Sequence, residues 1–195
     1  MNNLKIKKLL AIGILSFAVT GCVTPQDTAF RIPPKPIKAV QTNFIGELMN
    51  KERIEKFTAQ ELVRLDKIQR NTDKMQEVVA YLKTRVERTP YVFSGSSTYG
   101  WDCSGLVRWT YERFGLELVH SADKQAHLGT RVSNPKVGDI VVFAYKGSTN
   151  FYHSAIYIGD GMIVNAHQGL GTTVIQSLDS YRNSQIRFVR IVETN

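Results

Sequence analysis

The chain is poor in cysteine, because only Cys22 and Cys103 occur among its 195 residues. The sequence around each of them indicates a different role, so we expect no disulfide and a fold held together by packing. The composition also lacks the low hydrophobicity of disordered proteins, since 43% of the residues are apolar and 10% are aromatic. A chain of this length and composition can bury one core, which predicts a single folded domain with appendages.

The sequence also lacks pairs of histidine or cysteine residues at the spacing of metal ligands. The histidines and the second cysteine are Cys103, His120, His127, His153 and His167. No two of them stand at the short paired spacing that metal sites use, so the sequence predicts no metal ion and no other cofactor. His120 and His127 are interpreted as surface or helix-packing residues.

The chain has no apolar run that reaches the length of about 20 residues needed for a comfortable membrane span. The apolar run at residues 9–19 follows a basic start and has the length of a signal-peptide core. It leads to Val19-Thr20-Gly21-Cys22, which resembles the bacterial lipobox. We therefore expect residues 1–21 to be a lipoprotein signal peptide and Cys22 to carry lipid. The alternative is an ordinary cleaved signal with a chance cysteine.

The charge balance predicts the surroundings in which the protein works. The formal net charge is +8, and loss of residues 1–21, which contain three lysines and no acid, leaves +5. A basic exported protein is attracted to anionic envelope polymers and lipid head groups, whereas nucleic acid is not an expected partner in that compartment. Val23 after Cys22 predicts an anchor in the outer membrane, facing the periplasm, if the host has two membranes.

Three segments are expected after the signal peptide. Residues 22–41 contain four prolines and no periodicity, which is typical of an extended tether. Residues 42–71 are expected to form an accessory helical segment, and residues 72–195 the main domain. Whether the accessory segment binds a regulator or another partner is left open.

Two helices are predicted near the boundary between these segments. The spelling Thr58-Ala59-Gln60-Glu61 is a capping box, so a helix is expected from Thr58 to near Arg70. A second helix is expected to begin at Thr72 or Asp73, where residues with good N-cap side chains precede a new apolar stripe.

Strand patterns fill the second half of the chain. The predicted strands are residues 140–145, 153–158, 162–167 and 187–192. Helices come first and meandering strands afterwards, which indicates an α+β fold with an antiparallel sheet.

Cys103 stands where a helix is predicted to begin. Apolar residues recur at helical spacing over residues 106–114, and Gly115 follows where a helix commonly ends. Asp102 or Ser104 can cap the free backbone N–H groups at the start of this helix, and the positive end of the helix dipole favours a thiolate. On the local sequence alone, Cys103 is either an activated nucleophile or an ordinary small buried residue.

The predicted hairpin tests whether polar residues meet near such a nucleophile. A three-residue loop at residues 159–161 pairs positions whose numbers sum to 320, which places His153 opposite His167 and Asn165 one diagonal step away. A two-residue loop instead moves Asn165 to the opposite face. A cysteine that faces a strand histidine oriented by a polar neighbour is the arrangement of a cysteine acyl-transfer enzyme. A lone strand histidine is more often only a satisfied polar residue.

Four stretches of the chain form a recognisable set in order and spacing, namely Tyr91, residues 102–107 (Asp-Cys-Ser-Gly-Leu-Val), residues 138–143 (Gly-Asp-Ile-Val-Val-Phe) and residues 153–161 (His-Ser-Ala-Ile-Tyr-Ile-Gly-Asp-Gly). Together they resemble the NlpC/P60 family of bacterial cell-wall cysteine peptidases. The resemblance covers about residues 74–192. It implies a papain-like α+β fold with a catalytic domain at residues 72–195.

The resemblance also implies roles for individual residues. Cys103 is the expected nucleophile and His153 the expected general base. Asn165 stands at the third catalytic position, where many members have histidine, and His167 is its rival as the residue that orients His153. Tyr91 is expected beside the cysteine, where its hydroxyl helps the developing oxyanion or positions substrate.

The expected substrate follows from the same resemblance. Asp102 and Ser104 resemble residues that line the substrate cleft, and the usual activity is hydrolysis of the γ-D-glutamyl to diamino-acid bond of peptidoglycan stem peptides. The alternatives are an amidase that cuts between muramic acid and L-alanine, an acyltransferase on the same fold, and a non-catalytic wall-binding scaffold. The presence of Cys103, His153 and Asn165 together argues against the scaffold.

Overall fold

The computed structural model describes residues 58–195. The expected signal peptide, the lipidated Cys22, the tether and the start of the accessory segment all lie outside the described residues. The elements in chain order are helix α1 (Ala59–Thr84), strands β1 (Ser96–Ser97) and β2 (Gly100–Trp101), helices α2 (Cys103–Glu112) and α3 (Ala122–Gln125), and strands β3 (Thr130–Val132), β4 (Ile140–Tyr145), β5 (Phe151–Gly159), β6 (Met162–His167), β7 (Thr172–Ser177) and β8 (Ser184–Arg190). Short 3-10 helices at Gln168–Leu170 and Leu178–Tyr181 flank β7.

Helix α1 begins where the sequence predicts but is one continuous helix of 26 residues, so the prediction of two helices is wrong. The capping box is confirmed, since the Thr58 side chain accepts from the Glu61 backbone N–H and Glu61 accepts from that of Thr58. The predicted break between two helices is absent because the side chains of both N-cap candidates form hydrogen bonds within the helix. Thr72 Oγ1 donates to the Ile68 carbonyl (2.9 Å), and Asp73 accepts from Gln69 Nε2 (2.8 Å).

The C-terminal residues fasten to the middle of α1. The backbone N–H of Asn195 donates to Thr72 Oγ1 (2.8 Å), and the Asn71 side chain donates to the Glu193 carbonyl (3.2 Å). Helix α1 thus runs through the boundary expected between residues 71 and 72, and the chain end contacts it there.

The main sheet has six antiparallel strands in the order β3-β8-β4-β5-β6-β7. Together with the helices it confirms the α+β prediction. Strands β4 and β6 have the predicted bounds, β5 is longer at both ends, and β8 begins and ends earlier than expected. Strands β3 and β7 were not predicted, because β3 is short and mostly exposed and β7 opens with two threonines directly after a glycine-containing loop.

The β5–β6 hairpin reaches the predicted register by a different route. Its loop is the pair Asp160-Gly161, both with positive φ (52° and 70°), so the three-residue loop is wrong. Gly159, and not Ile158, pairs with Met162, and a bulge before Gly159 shifts the pairing by one residue. The interior pairs, Ile156 with Val164 and Tyr157 with Ile163, then sum to 320 as predicted.

Helix α2 contacts β5 and β6, the two strands that carry His153 and Asn165. Leu106, Val107 and Trp109 are buried on it, which contributes about 1.5–3 kcal/mol for each large apolar side chain. Next to it, the buried Trp101 indole donates to Thr173 Oγ1 (2.8 Å) and so ties the start of α2 to edge strand β7. The core therefore holds the N-terminus of α2 and the hairpin against each other.

No helix within residues 58–195 has both the length and the apolar composition of a membrane span.

A substitution at Gly105 can test how closely α2 approaches the loop before it. A Cβ at Gly105 would overlap the Gly95 carbonyl oxygen, so Gly105→Ala should lower the free energy of unfolding by roughly 2–4 kcal/mol. Gly147→Ala is the matched control, since its Cβ would meet nothing within 4 Å and only its positive φ (81°) costs about 1 kcal/mol. Urea unfolding measures both, and equal losses would contradict the close approach.

Candidate active site

Cys103 is the first residue of α2, and Asp102 is its N-cap. The Asp102 carboxylate accepts from the Gly105 backbone N–H (2.7 Å) and from Ser104 Oγ (2.9 Å). These bonds satisfy donors in the first turn that have no partner within the helix. Cys103 is thereby held at the N-terminus of the helix, as the sequence predicts.

Asp102 also joins two segments that are distant in sequence. Its Oδ2 accepts from the Ser94 backbone N–H (3.0 Å), and its Oδ1 lies 2.8 Å from His120 Nε2. Ser94 has a positive φ of 60°, an uncommon conformation for a residue other than glycine, and the bond to Asp102 helps to hold it. His120, interpreted from the sequence as a surface or packing residue, is a partly buried partner of Asp102.

His153 lies on β5 with its ring held on two sides. Its Nε2 is 3.1 Å from Asn165 Oδ1 on β6. An amide oxygen only accepts, so Nε2 carries the proton and Nδ1 keeps its lone pair. The ring also stacks on Tyr181, with centroids 5.8 Å apart and planes 11° from parallel. The arrangement leaves one free basic nitrogen on a fixed imidazole.

Asn165 and His167 were rival partners of His153 on the sequence. Asn165 makes the contact, and its side chain is wholly buried. His167 Nδ1 instead accepts from the Leu170 backbone N–H (3.1 Å), as the N-cap of the 3-10 helix that follows β6. His167 thus contributes to the same region without being the hydrogen-bonded partner.

Cys103 and His153 open onto one shared cavity. Its volume is about 180 Å³, and its lining residues are Tyr91, Cys103, Tyr152, His153, His167, Gln168, Gly169 and Tyr181. Tyr91 is close enough that the charges of Cys103 and Asp102 add to burial in raising the pKa of its phenol. The cavity therefore brings together four residues named from the sequence, namely Tyr91, Cys103, His153 and His167.

Burial dominates the electrostatics of the pair. It raises the pKa of the Cys103 thiol, an effect opposed by the Ser154 backbone N–H and reinforced by the Asp102 charge. It lowers the pKa of His153 to about 4, against the hydrogen bond to Asn165. Burial therefore disfavours the charged form of both groups, and for the thiol it opposes the effect expected from the helix dipole.

Several residues of the site gave no signal in the sequence. Tyr152 directly precedes His153 but is one of eight tyrosines in the chain, and Tyr181 lies 28 positions after His153. Gln168 and Gly169 belong to a turn that carries no motif. Their positions follow from the path of β6 and β7, which local patterns did not predict.

Within residues 58–195, no three His, Cys, Asp or Glu side chains lie together as a metal site.

The fold and the site define a class of protein, an α+β domain in which a helix-start cysteine shares a cavity with a strand histidine held by a side-chain amide. This is the arrangement of thiol-dependent acyl transfer. The model of the NlpC/P60 family matches residues 88–190, more than half of the chain, and the chain belongs to that family.

Two curated relatives illustrate the range of the family. The murein DD-endopeptidase MepS/murein LD-carboxypeptidase of Escherichia coli is 40% identical over 94 residues, which are 47% of this chain and 49% of the relative. The gamma-D-glutamyl-L-lysine dipeptidyl-peptidase of Bacillus cereus is 32% identical over 80 residues, 40% of this chain and 24% of the relative. The chain thus spans a quarter to a half of the length of these relatives.

Two solved structures share the fold. The NlpC/p60 domain of the peptidoglycan hydrolase SagA superposes with a TM-score of 0.51 at 28% identity, covering 60% of this chain and 98% of that one. RipD of Mycobacterium tuberculosis, described as a non-catalytic NlpC/p60 protein adapted to peptidoglycan binding, has a TM-score of 0.51 at 19% identity, covering 61% and 98%. At that identity RipD shows the fold alone.

The lowered pKa of His153 predicts how stability depends on pH. Its folded pKa of about 4 lies below the ordinary 6.5, so the unfolded chain binds more protons between these values. Stability should be full above about pH 6.5 and fall as the pH drops towards 4, by about 1–3 kcal/mol because cavity water screens part of the shift.

The measurement compares the free energy of unfolding of the wild type and of His153→Gln from pH 4 to pH 7. Carboxylates titrate in both proteins and cancel in the difference. The difference should grow in favour of the wild type as the pH rises, and a flat difference would refute the assignment.

Proposed function

We propose that the protein is a peptidoglycan endopeptidase that hydrolyses the γ-D-glutamyl to diamino-acid bond of stem peptides. The observation that carries the proposal is the meeting of Cys103 and His153 in one cavity, with Asn165 bonded to the histidine. The names of the Escherichia coli and Bacillus cereus relatives, both peptidases and one named for murein, support the substrate class.

In the proposed reaction, His153 Nδ1 takes the thiol proton as Cys103 Sγ attacks the amide carbonyl. The new C–S bond and the negative charge on oxygen form together, and in this proposal the backbone N–H at the start of α2 and the Tyr91 hydroxyl donate hydrogen bonds to that oxygen. The imidazolium then protonates the leaving amine as the C–N bond breaks. Water, deprotonated by His153, attacks the thioester and releases the acid and the thiol.

Surroundings that disfavour charge on both groups suit this sequence of steps. An imidazole without a proton on Nδ1 is ready to act as base, and the thiol needs to ionise only when substrate arrives. Asn165 Oδ1 accepts from Nε2 in both the neutral and the charged ring, so it stabilises the imidazolium that forms. In this role Asn165 acts as the orienting residue. Asp102 and Ser104, expected from the sequence in the substrate cleft, are buried and are not among the residues that line the cavity; they hold the start of the helix that carries Cys103.

The choice of bond is the finer part of the proposal. One relative is named for cleavage between D-glutamate and lysine, and the other is named for DD-endopeptidase and LD-carboxypeptidase activity. The γ-D-glutamyl bond is preferred on the family resemblance of the motifs around Cys103 and His153. Attachment to a membrane through lipid on Cys22, in the outer membrane if the host has two, belongs to the same proposal.

A wall-binding protein without catalysis is the second candidate, since the fold is also that of RipD, which is described as non-catalytic. That candidate gives no role to a histidine whose basic nitrogen is left free and whose other nitrogen is held by a buried amide. The two candidates differ in whether Cys103 acts chemically.

Mass spectrometry of muropeptides released from purified peptidoglycan tests the function. The full-length protein should yield fragments that end in γ-D-glutamate, and Cys103→Ala should abolish them, a loss of at least about 10³-fold. Fragments cut at the muramic acid junction would replace the proposal by an amidase. No cleavage by the wild type together with retained binding would favour the wall-binding candidate.

Replacing the orienting amide tests the role of Asn165. Asn165→Ala removes the acceptor for Nε2–H and frees the imidazole to adopt the other tautomer, so kcat should fall about 10²- to 10⁴-fold with little change in KM. His167→Ala, which lines the same cavity without bonding to His153, is the matched comparison. A larger loss of kcat for His167→Ala than for Asn165→Ala would assign the orienting role to His167 instead.

A further inference from the structure

The side chain of Gln176 on β7 lies behind Asn165. Gln176 Oε1 accepts from Asn165 Nδ2 (3.1 Å) and from the Tyr181 hydroxyl (3.0 Å). Tyr181 in turn stacks on the His153 ring and lies 4.2 Å, centroid to centroid, from Phe143. A single amide oxygen therefore joins the partner of the histidine to the ring that packs on it.

The orientation of Asn165 decides which nitrogen of His153 is basic. With Oδ1 towards His153, Nε2 is protonated and Nδ1 can accept the thiol proton. If the Asn165 amide were turned by 180°, its NH₂ group would face Nε2, which would then have to accept and leave the proton on Nδ1. The two orientations of an asparagine side-chain amide have almost the same shape, so a neighbouring hydrogen-bonding group must select one of them.

Gln176 Oε1 makes that choice, since an acceptor on the far side of Asn165 requires its NH₂ group to point there. The Tyr181 hydroxyl, by donating to the same oxygen, favours the Gln176 orientation that presents Oε1. The preference grows when His153 becomes charged, because an imidazolium can only donate and needs Oδ1 in front of it.

We propose that Gln176 is a positioning residue that, together with the Tyr181 hydroxyl, holds Asn165 in the orientation that makes His153 a base towards Cys103. The inference deepens the proposed function and rests on it for the catalytic consequence. In this network Tyr181 and Asn165 each donate a hydrogen bond to Gln176, and His153 donates one to Asn165. Gln176 touches neither the thiol nor the substrate cavity, so it acts only through Asn165.

The rate of Cys103 alkylation by iodoacetamide between pH 5 and pH 9 tests the proposal without any peptidoglycan. Alkylation follows the small population in which the thiol proton has moved to His153. Gln176→Met keeps the length of the side chain but loses the acceptor, and should slow alkylation near pH 7 about 5- to 20-fold. Gln176→Glu keeps an acceptor and adds negative charge, so it should alkylate within about twofold of the wild type or faster.

Matched variants separate positioning from folding. Gln185→Met makes the same exchange at an exposed position on β8 and should leave the rate unchanged. Tyr181→Phe keeps the stacked ring but loses the hydroxyl, and should slow alkylation about 2- to 5-fold. In the Gln176→Met background, Tyr181→Phe should add less than twofold, because the hydroxyl acts through Gln176.

An alkylation rate for Gln176→Met equal to that of the wild type would overturn the proposal. An alkylation rate for Gln176→Glu no faster than that of Gln176→Met would also overturn it. If Gln176→Met does not fold, as judged by circular dichroism, an unchanged rate for Tyr181→Phe overturns it on its own. With peptidoglycan as substrate, Gln176→Met should lower kcat and leave KM unchanged. Absence of cleavage by the wild type would contradict the proposed function but leave the alkylation result standing.

Discussion

The Asp102 carboxylate is the constraint on which the site depends. It caps the helix that starts at Cys103, holds the Ser94 loop in an uncommon backbone conformation and bonds to His120. A buried carboxylate is costly unless its oxygens are satisfied, and here four donor groups surround it. The same bonds that satisfy the charge therefore fix the position of the thiol.

Burial has different consequences for Asp102 and for the two residues that open onto the cavity. Around Asp102 it is compensated by hydrogen bonds, whereas for Cys103 and His153 it disfavours the charged form. A layer of polar and aromatic groups behind His153, namely Asn165, Gln176 and Tyr181, orients the ring without charging it. The imidazole is thus held by hydrogen bonding and stacking in surroundings that disfavour its charge.

Much of the fold could be predicted because its signals are local. The capping box before α1, the start of α2 and strands β4 and β6 all follow from spacing within a few residues. The prediction of a helix break at Thr72 failed because a side chain that can cap a helix can also donate to a backbone carbonyl one turn earlier in the same helix. The hairpin register was right although its loop was wrong, since the bulge before Gly159 compensates for the shorter turn.

Local sequence patterns were enough to predict the α+β order of elements, the helix that begins at Cys103 and the register that places Asn165 on the same face as His153. These depend on period, capping and turn chemistry, which act over a few residues. The bond of Asn165 rather than His167 to His153, the contact of His120 with Asp102 and the lowered pKa of His153 became apparent only from the folded arrangement. Those outcomes depend on burial and on contacts between distant segments, and desolvation at one atom is set by everything packed around it.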